Sequence, residues 1–128
     1  MRIGIDIMEA ERFTDVDNER LAHIFTHHEI EYFYKKNMAP ETIAGLFCAK
    51  EAFFKALGTG IAPSNVLEVE VLHDVRGAPF YKFGPRILAD HRFLSTAQIQ
   101  LSISNTKRMS VAVCVMITSD TIIPFSQR

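Results

Sequence analysis

At 128 residues the chain has the length of one domain, long enough to bury a continuous core and too short for two. Apolar residues at 48% and charged residues at 23% exclude a disordered chain, and a net charge of -1 leaves no basic excess for nonspecific nucleic-acid binding. No apolar run reaches the roughly 20 residues of a membrane span, and the opening MRIGIDIMEAERF is neither a signal nor a transit peptide, so the expectation is a cytoplasmic protein with no membrane partner.

Arg2 to Met8 alternates around Ile3, Ile5 and Ile7, which predicts a strand burying that isoleucine face, with Gly4 and Asp6 on the other. Asn18 to Phe25 reads as a short helix, and Thr26 with Glu29 three residues on forms a capping box for a helix through about Lys36. Asn37 marks a break. Pro40 suits a first helical turn and Gly58 a helix end, so ETIAGLFCAKEAFFKAL is one long helix. Gly58-Thr59-Gly60 then enters a loop containing Pro63, Ser64 and Asn65.

VLEVEVL predicts a strand, His73 to Pro79 a turn, and Phe80 to Phe83 a second strand. Gly84 and Pro85 start a helix through about Phe93, and Ile99 to Ile103 and Ser110 to Thr118 read as strands linked by SISNTKR. This order gives an α+β fold with a mostly antiparallel sheet, one long helix and two or three shorter ones. Residues 1–118 form the domain and 119–128 a C-terminal tail.

Few residues carry chemistry on spacing alone. Glu51 and Lys55 lie one helical turn apart with Lys50 beside them, a pattern equally usual in an exposed ion pair. Asp6 interrupts the apolar IGIDI segment and needs a partner; Arg12, a strand-end hydrogen bond or a metal would each serve. Gly58 to Gly60 follow a helix C-terminus, the wrong end for a dipole-assisted phosphate cradle. Ser102, Ser104, Asn105 and Thr106 fit a polar turn. Cys48 and Cys114 fit buried free thiols, His27-His28 fits a solvated helix start, and no nucleophile, zinc or dinucleotide motif is present.

Taken in order, GIDIMEAERF, FCAKEAFFKALGTGI, the GAP turn at Gly77 to Pro79 and LSISNT resemble the holo-acyl-carrier-protein synthases over nearly the whole chain. The resemblance implies the small single-domain 4′-phosphopantetheinyl transferase fold and a homotrimer with active sites between subunits. It implies transfer of 4′-phosphopantetheine from coenzyme A to a serine of an acyl carrier protein, releasing adenosine 3′,5′-bisphosphate. Asp6 and Glu51 would then be Mg²⁺ ligands, an ion usually held by one or two carboxylates, waters and substrate phosphates. Glu51 would also take the serine proton, and Lys55 and Lys50 would hold phosphate. Gly58, Thr59, Gly60, Ser104, Asn105 and Thr106 would line coenzyme A, and Arg12 and Arg20 would meet the carrier.

Two departures bear on phosphate. Leu46 stands where the family commonly has Arg, and Asn105 where it often has His. Losing two cations predicts a weaker grip on the 3′-phosphate and tolerance for dephospho-coenzyme A. Glu11, Asp15, Asp17 and Glu19 interrupt the basic run that would steer an acidic carrier. The alternative is a catalytically weak trimeric protein that binds coenzyme A or a carrier.

Overall fold

The computed structural model describes residues 1–118; the tail read at 119–128 lies outside the described residues. The elements are β1 (Arg2–Glu9), α1 (Asn18–Ala22), α2 (His27–Lys35), α3 (Pro40–Leu57), β2 (Val69–His73), β3 (Pro79–Phe83), α4 (Pro85–Asp90), β4 (Gln98–Asn105) and β5 (Met109–Ile117). Single 3-10 turns lie at Ala10–Phe13, Val66–Glu68 and Arg92–Ser95. Strands β1, β5 and β4 form one antiparallel sheet in that order, and β2 and β3 form a separate hairpin. The α+β expectation holds. No helix of the described residues is long and apolar enough to cross a membrane.

Helix α3 is the axis of the molecule. Twelve of its residues, Phe53, Phe54 and Leu57 among them, are buried, so its apolar surface extends beyond one stripe and demands partners on several sides. One partner is the inner face of the large sheet, through Ala112, Cys114 and Met116 of β5. Another is the β2–β3 hairpin, where the Phe53 ring lies 5.3 Å from that of Tyr81. Pro40 opens the helix, and Gly58 closes it at φ 90°, a left-handed position that glycine adopts without strain.

The buried face of β1 is the reverse of the one its isoleucines predict. Ile3, Ile5 and Ile7 are 67%, 58% and 63% exposed, while Gly4 is buried beneath α3. A Cβ on Gly4 would stand 1.8 Å from the Ala52 carbonyl oxygen, so the helix presses on the strand at the one residue without a side chain. With period 2, that choice turns Asp6 inward and every isoleucine outward.

Other boundaries move slightly. α1 stops at Ala22, its N-terminus capped by Asp17, whose carboxylate accepts from the Arg20 N–H. The Thr26–Glu29 capping box forms with both reciprocal bonds. Val66–Glu68 is a 3-10 turn before the strand, and α4 ends at Asp90 rather than near Phe93. β4 extends through Ser104 and Asn105, which pair with Val111 and Ser110, so those residues belong to a strand and not to a linking turn.

Candidate active site at the Asp6–Glu51 pair

Asp6 on β1 faces α3 and meets Lys55, whose ammonium donates to Asp6 Oδ1 and to the Ile5 carbonyl, each at 3.0 Å. The Arg12 partner considered from sequence is not used. Asp6 is only 14% exposed, and its Oδ2 is buried with no hydrogen-bond partner among the described residues. A buried carboxylate oxygen left unpaired is costly, and such an orphan asks for a cation or a donor. The Cys48 thiol donates to the Ser110 carbonyl, and burial first, then the charge and hydrogen-bonding of the Asp6 carboxylate, pushes it up to about 12.

Glu51 projects from α3 beside this carboxylate. Burial raises its pKa above the usual carboxylate range, the charge of Asp6 raises it further, and Lys55 works against both. Two carboxylates that repel each other in a partly buried place fit a divalent cation well. Among the described residues there is no group of three or more His, Cys, Asp or Glu side chains able to hold a metal. A cation here would therefore take two protein ligands and complete its shell with water and substrate phosphate, which is the habit of Mg²⁺.

Lys50 is placed elsewhere. Its ammonium is fully buried, 2.7 Å from Glu29 Oε1, and donates to the carbonyls of Ile24 and Val66. It stands inside the core rather than at a phosphate surface, because one residue along a helix is about 100° around it. Burial pushes the Lys50 pKa down and the Glu29 pKa up, each opposed by the other's charge. The Glu29 carboxylate also accepts from the backbone of Thr26 and Val71, so the pair joins α2, α3 and β2.

Gly58, Thr59 and Gly60 form an exposed turn just past Lys55, and space around Gly60 is open. The Asn65 amide braces this loop by donating to the Gly60 carbonyl at 3.0 Å. Arg12 and Arg20 are exposed, on the first 3-10 turn and on α1. Ser104 is exposed on the same open sheet face as the isoleucines, whereas Thr106 holds its own hairpin by accepting from Met109 N–H.

Asn105 lines a cleft of about 280 Å³ together with the buried Leu46, so both departures from the family pattern meet in one place. Tyr32, Lys36 and His73 share that cleft. Nothing in the sequence singled them out: they come from a helix, its C-cap and a strand end, and only tertiary packing brings them to Leu46.

The family model described as the 4′-phosphopantetheinyl transferase superfamily matches residues 2–114. A holo-[acyl-carrier-protein] synthase of Thermoanaerobacter sp. is 39% identical over 120 residues, covering 90% of this chain and 86% of the relative. One from Caldicellulosiruptor bescii is 41% identical over 115 residues, covering 88% and 94%. The crystal structure of a holo-(acyl-carrier-protein) synthase from Bacillus anthracis in complex with CoA (3′,5′-ADP) superposes with a TM-score of 0.75 at 33% identity, covering 92% of this chain and 96% of that one. The family model over residues 2–114 and relatives at 39% and 41% identity along most of their length show that the chain belongs to the 4′-phosphopantetheinyl transferase superfamily.

Proposed function

We propose that this chain transfers the 4′-phosphopantetheine group of coenzyme A to a serine of an apo acyl carrier protein and releases adenosine 3′,5′-bisphosphate. The observation that carries the reading is the buried, unpartnered Asp6 Oδ2 beside Glu51, in a chain similar to holo-[acyl-carrier-protein] synthases along most of its length. Asp6 and Glu51 would hold Mg²⁺, an ion that would supply positive charge against the repulsion between the serine oxygen and the pyrophosphate.

The serine Oγ forms a bond to the phosphorus that carries pantetheine, and the bond from that phosphorus to the bridging oxygen breaks. The bridging oxygen leaves with the adenosine bisphosphate. Glu51, the carboxylate beside Asp6, is the group placed to take the serine proton. Lys55 fixes the Asp6 carboxylate and, being half exposed, presents the rest of its charge to phosphate. The exposed Gly58-Thr59-Gly60 turn lets the substrate approach backbone closely, and Arg12 and Arg20 face the carrier.

We place the protein in the cytoplasm, read residues 1–118 as one domain, and assign it a homotrimer closed through the open sheet face. Ile3, Ile5 and Ile7 pair across the strands with Val115, Val113 and Val111, making a flat apolar surface of the kind that marks a protein interface. Ser104 stands on that face while Asp6 and Asn105 turn to the helix side, so one protomer does not direct all these positions at a single ligand. A site between subunits resolves this.

The test is incubation with coenzyme A, Mg²⁺ and apo carrier protein, read by intact mass. A phosphopantetheine adduct on the carrier serine supports transfer, and no adduct with any of several carriers defeats it. The second reading, a catalytically weak trimer that binds coenzyme A or a carrier, is favoured by Leu46, whose apolar side chain lines the Asn105 cleft. It predicts ligand binding with no adduct.

A further inference from the structure

Lys55 donates to Asp6 Oδ1, and the buried Oδ2 is left with no hydrogen-bond partner among the described residues. The register of α3 on β1 places a second side chain against that carboxylate. The two elements run in opposite directions: Leu57 accepts from Arg2, the turn from Ala52 to Ala56 lies over Gly4, and Cys48 reaches the carbonyl of Ser110, the β5 partner of Met8. Asp6 is the inward residue between Gly4 and Met8, so the turn of α3 that covers it is the one from Cys48 to Glu51. Cys48, Glu51 and Lys55, at i, i+3 and i+7, share one face of the helix, and that face looks at Asp6.

Cys48 is fully buried, and its Sγ lies 3.5 Å from the Ser110 carbonyl oxygen. Its single S–H therefore has two acceptors in reach, that carbonyl and the Asp6 carboxylate. Burial first, then the charge of Asp6 and a hydrogen bond with its carboxylate, raise the thiol's pKa, while Glu51 adds only its charge and Lys55 opposes. Rotation about Cβ–Sγ carries the proton from one acceptor to the other with the sulfur in place. A thiol is a weak donor, so it answers a buried oxygen without competing strongly for it. A hydroxyl at the same place would hold that oxygen more firmly.

We infer that Cys48 is a positioning residue of the site: with Lys55 on Oδ1, its S–H tethers Asp6 through Oδ2, and it yields that oxygen to a cation by turning to the Ser110 carbonyl. The yielding rests on the Mg²⁺ reading above; the tether does not. Two donors from one face of α3, one on each oxygen, fix the plane of the carboxylate, and the weaker of them sits on the oxygen that must open. The sulfur makes no bond in the reaction, and Cys48 acts only through Asp6.

The test reads the S–H stretching band of this thiol by infrared difference spectroscopy, the band being assigned by its loss in Cys48→Ala. In the metal-free chain Asp6→Asn should move it to higher frequency, because a neutral amide is a weaker acceptor than a carboxylate. Glu51→Gln, which changes a charge without removing a hydrogen bond to the thiol, should move it less. Bound Mg²⁺ should move the band of the unaltered chain in the same direction as Asp6→Asn, as the proton turns to Ser110. Cys48→Ser should weaken Mg²⁺ binding by about fivefold in calorimetry, since a hydroxyl gives up Oδ2 less readily; a side chain that merely fills space predicts no change. A band unmoved by Asp6→Asn or by bound Mg²⁺, a band moved as far by Glu51→Gln, or unchanged Mg²⁺ affinity in Cys48→Ser would overturn the inference. Its failure is distinct from that of the metal reading: a chain whose band follows Asp6→Asn but which binds no Mg²⁺ keeps the tether and loses the metal site. One that binds Mg²⁺ with a band indifferent to Asp6→Asn does the reverse.

Discussion

At the scale of single residues, Asp6 is the position where stability and chemistry pull apart. It is largely shielded, held by the exposed Lys55, and leaves one oxygen without a partner among the described residues. Asp6→Asn and Glu51→Gln should each lower transfer to the carrier about a hundredfold or more, since metal charge at the transition state is worth several kcal/mol. Retention of full activity in either would remove that residue from the metal site. Chelation of Mg²⁺ should stop turnover and leave the circular-dichroism spectrum unchanged. In the metal-free protein Glu51 should titrate above the usual carboxylate range, and Mg²⁺ should lower its pKa because cation and proton compete for one carboxylate. Metal affinity therefore falls as pH drops through the Glu51 pKa, which carboxyl ¹³C shifts would follow. The two thiols are inert by contrast. Cys48 and Cys114 are fully buried and raised to about 12 and about 11, mainly by burial, so iodoacetamide near pH 8 should label neither until the chain is denatured.

At the scale of elements, α3 joins the two sheets and sets the register of the site. Its approach to β1 depends on Gly4: Gly4→Ala forces a methyl into the Ala52 carbonyl and should destabilise by about 3 kcal/mol or prevent folding, seen as a lower thermal midpoint. Inside the same helix, Lys50→Met leaves Glu29 charged and unpaired in the core. The expected loss is about 3–5 kcal/mol of stability by urea denaturation, with activity per folded molecule unchanged. A drop in turnover without a drop in stability would return Lys50 to the phosphate site. Adjacent residues of α3 thus do different work, Lys50 inside the core and Glu51 at the carboxylate pair.

At the scale of the whole molecule, the large sheet has an apolar surface on each side, and among the described residues only one side is covered. The inner side meets α3; the outer side carries Ile3, Ile5 and Ile7 beside the β5 valines. If the proposed homotrimer closes through this face, Ile5→Lys at its middle should shift the protein to monomers in sedimentation velocity and reduce transfer with it, while the monomer keeps its helical signal. An Ile5→Lys protein that remains trimeric would move the interface elsewhere.

The sequence by itself determined the elements, because local signals place them: Pro40 and Gly58 bracket α3, and the Thr26–Glu29 box starts α2. It also determined the family, through motifs that keep their spacing along the chain. Tertiary structure decided which face of β1 is inside, since an alternating pattern states only that two faces differ; close approach of a helix to Gly4 chose between them. It decided that Lys50 is structural while Lys55 meets Asp6, because helix rotation separates them. It decided, too, that Tyr32, Lys36 and His73 stand with Leu46 and Asn105, a grouping that depends on contacts far apart in sequence and leaves no mark in any local pattern.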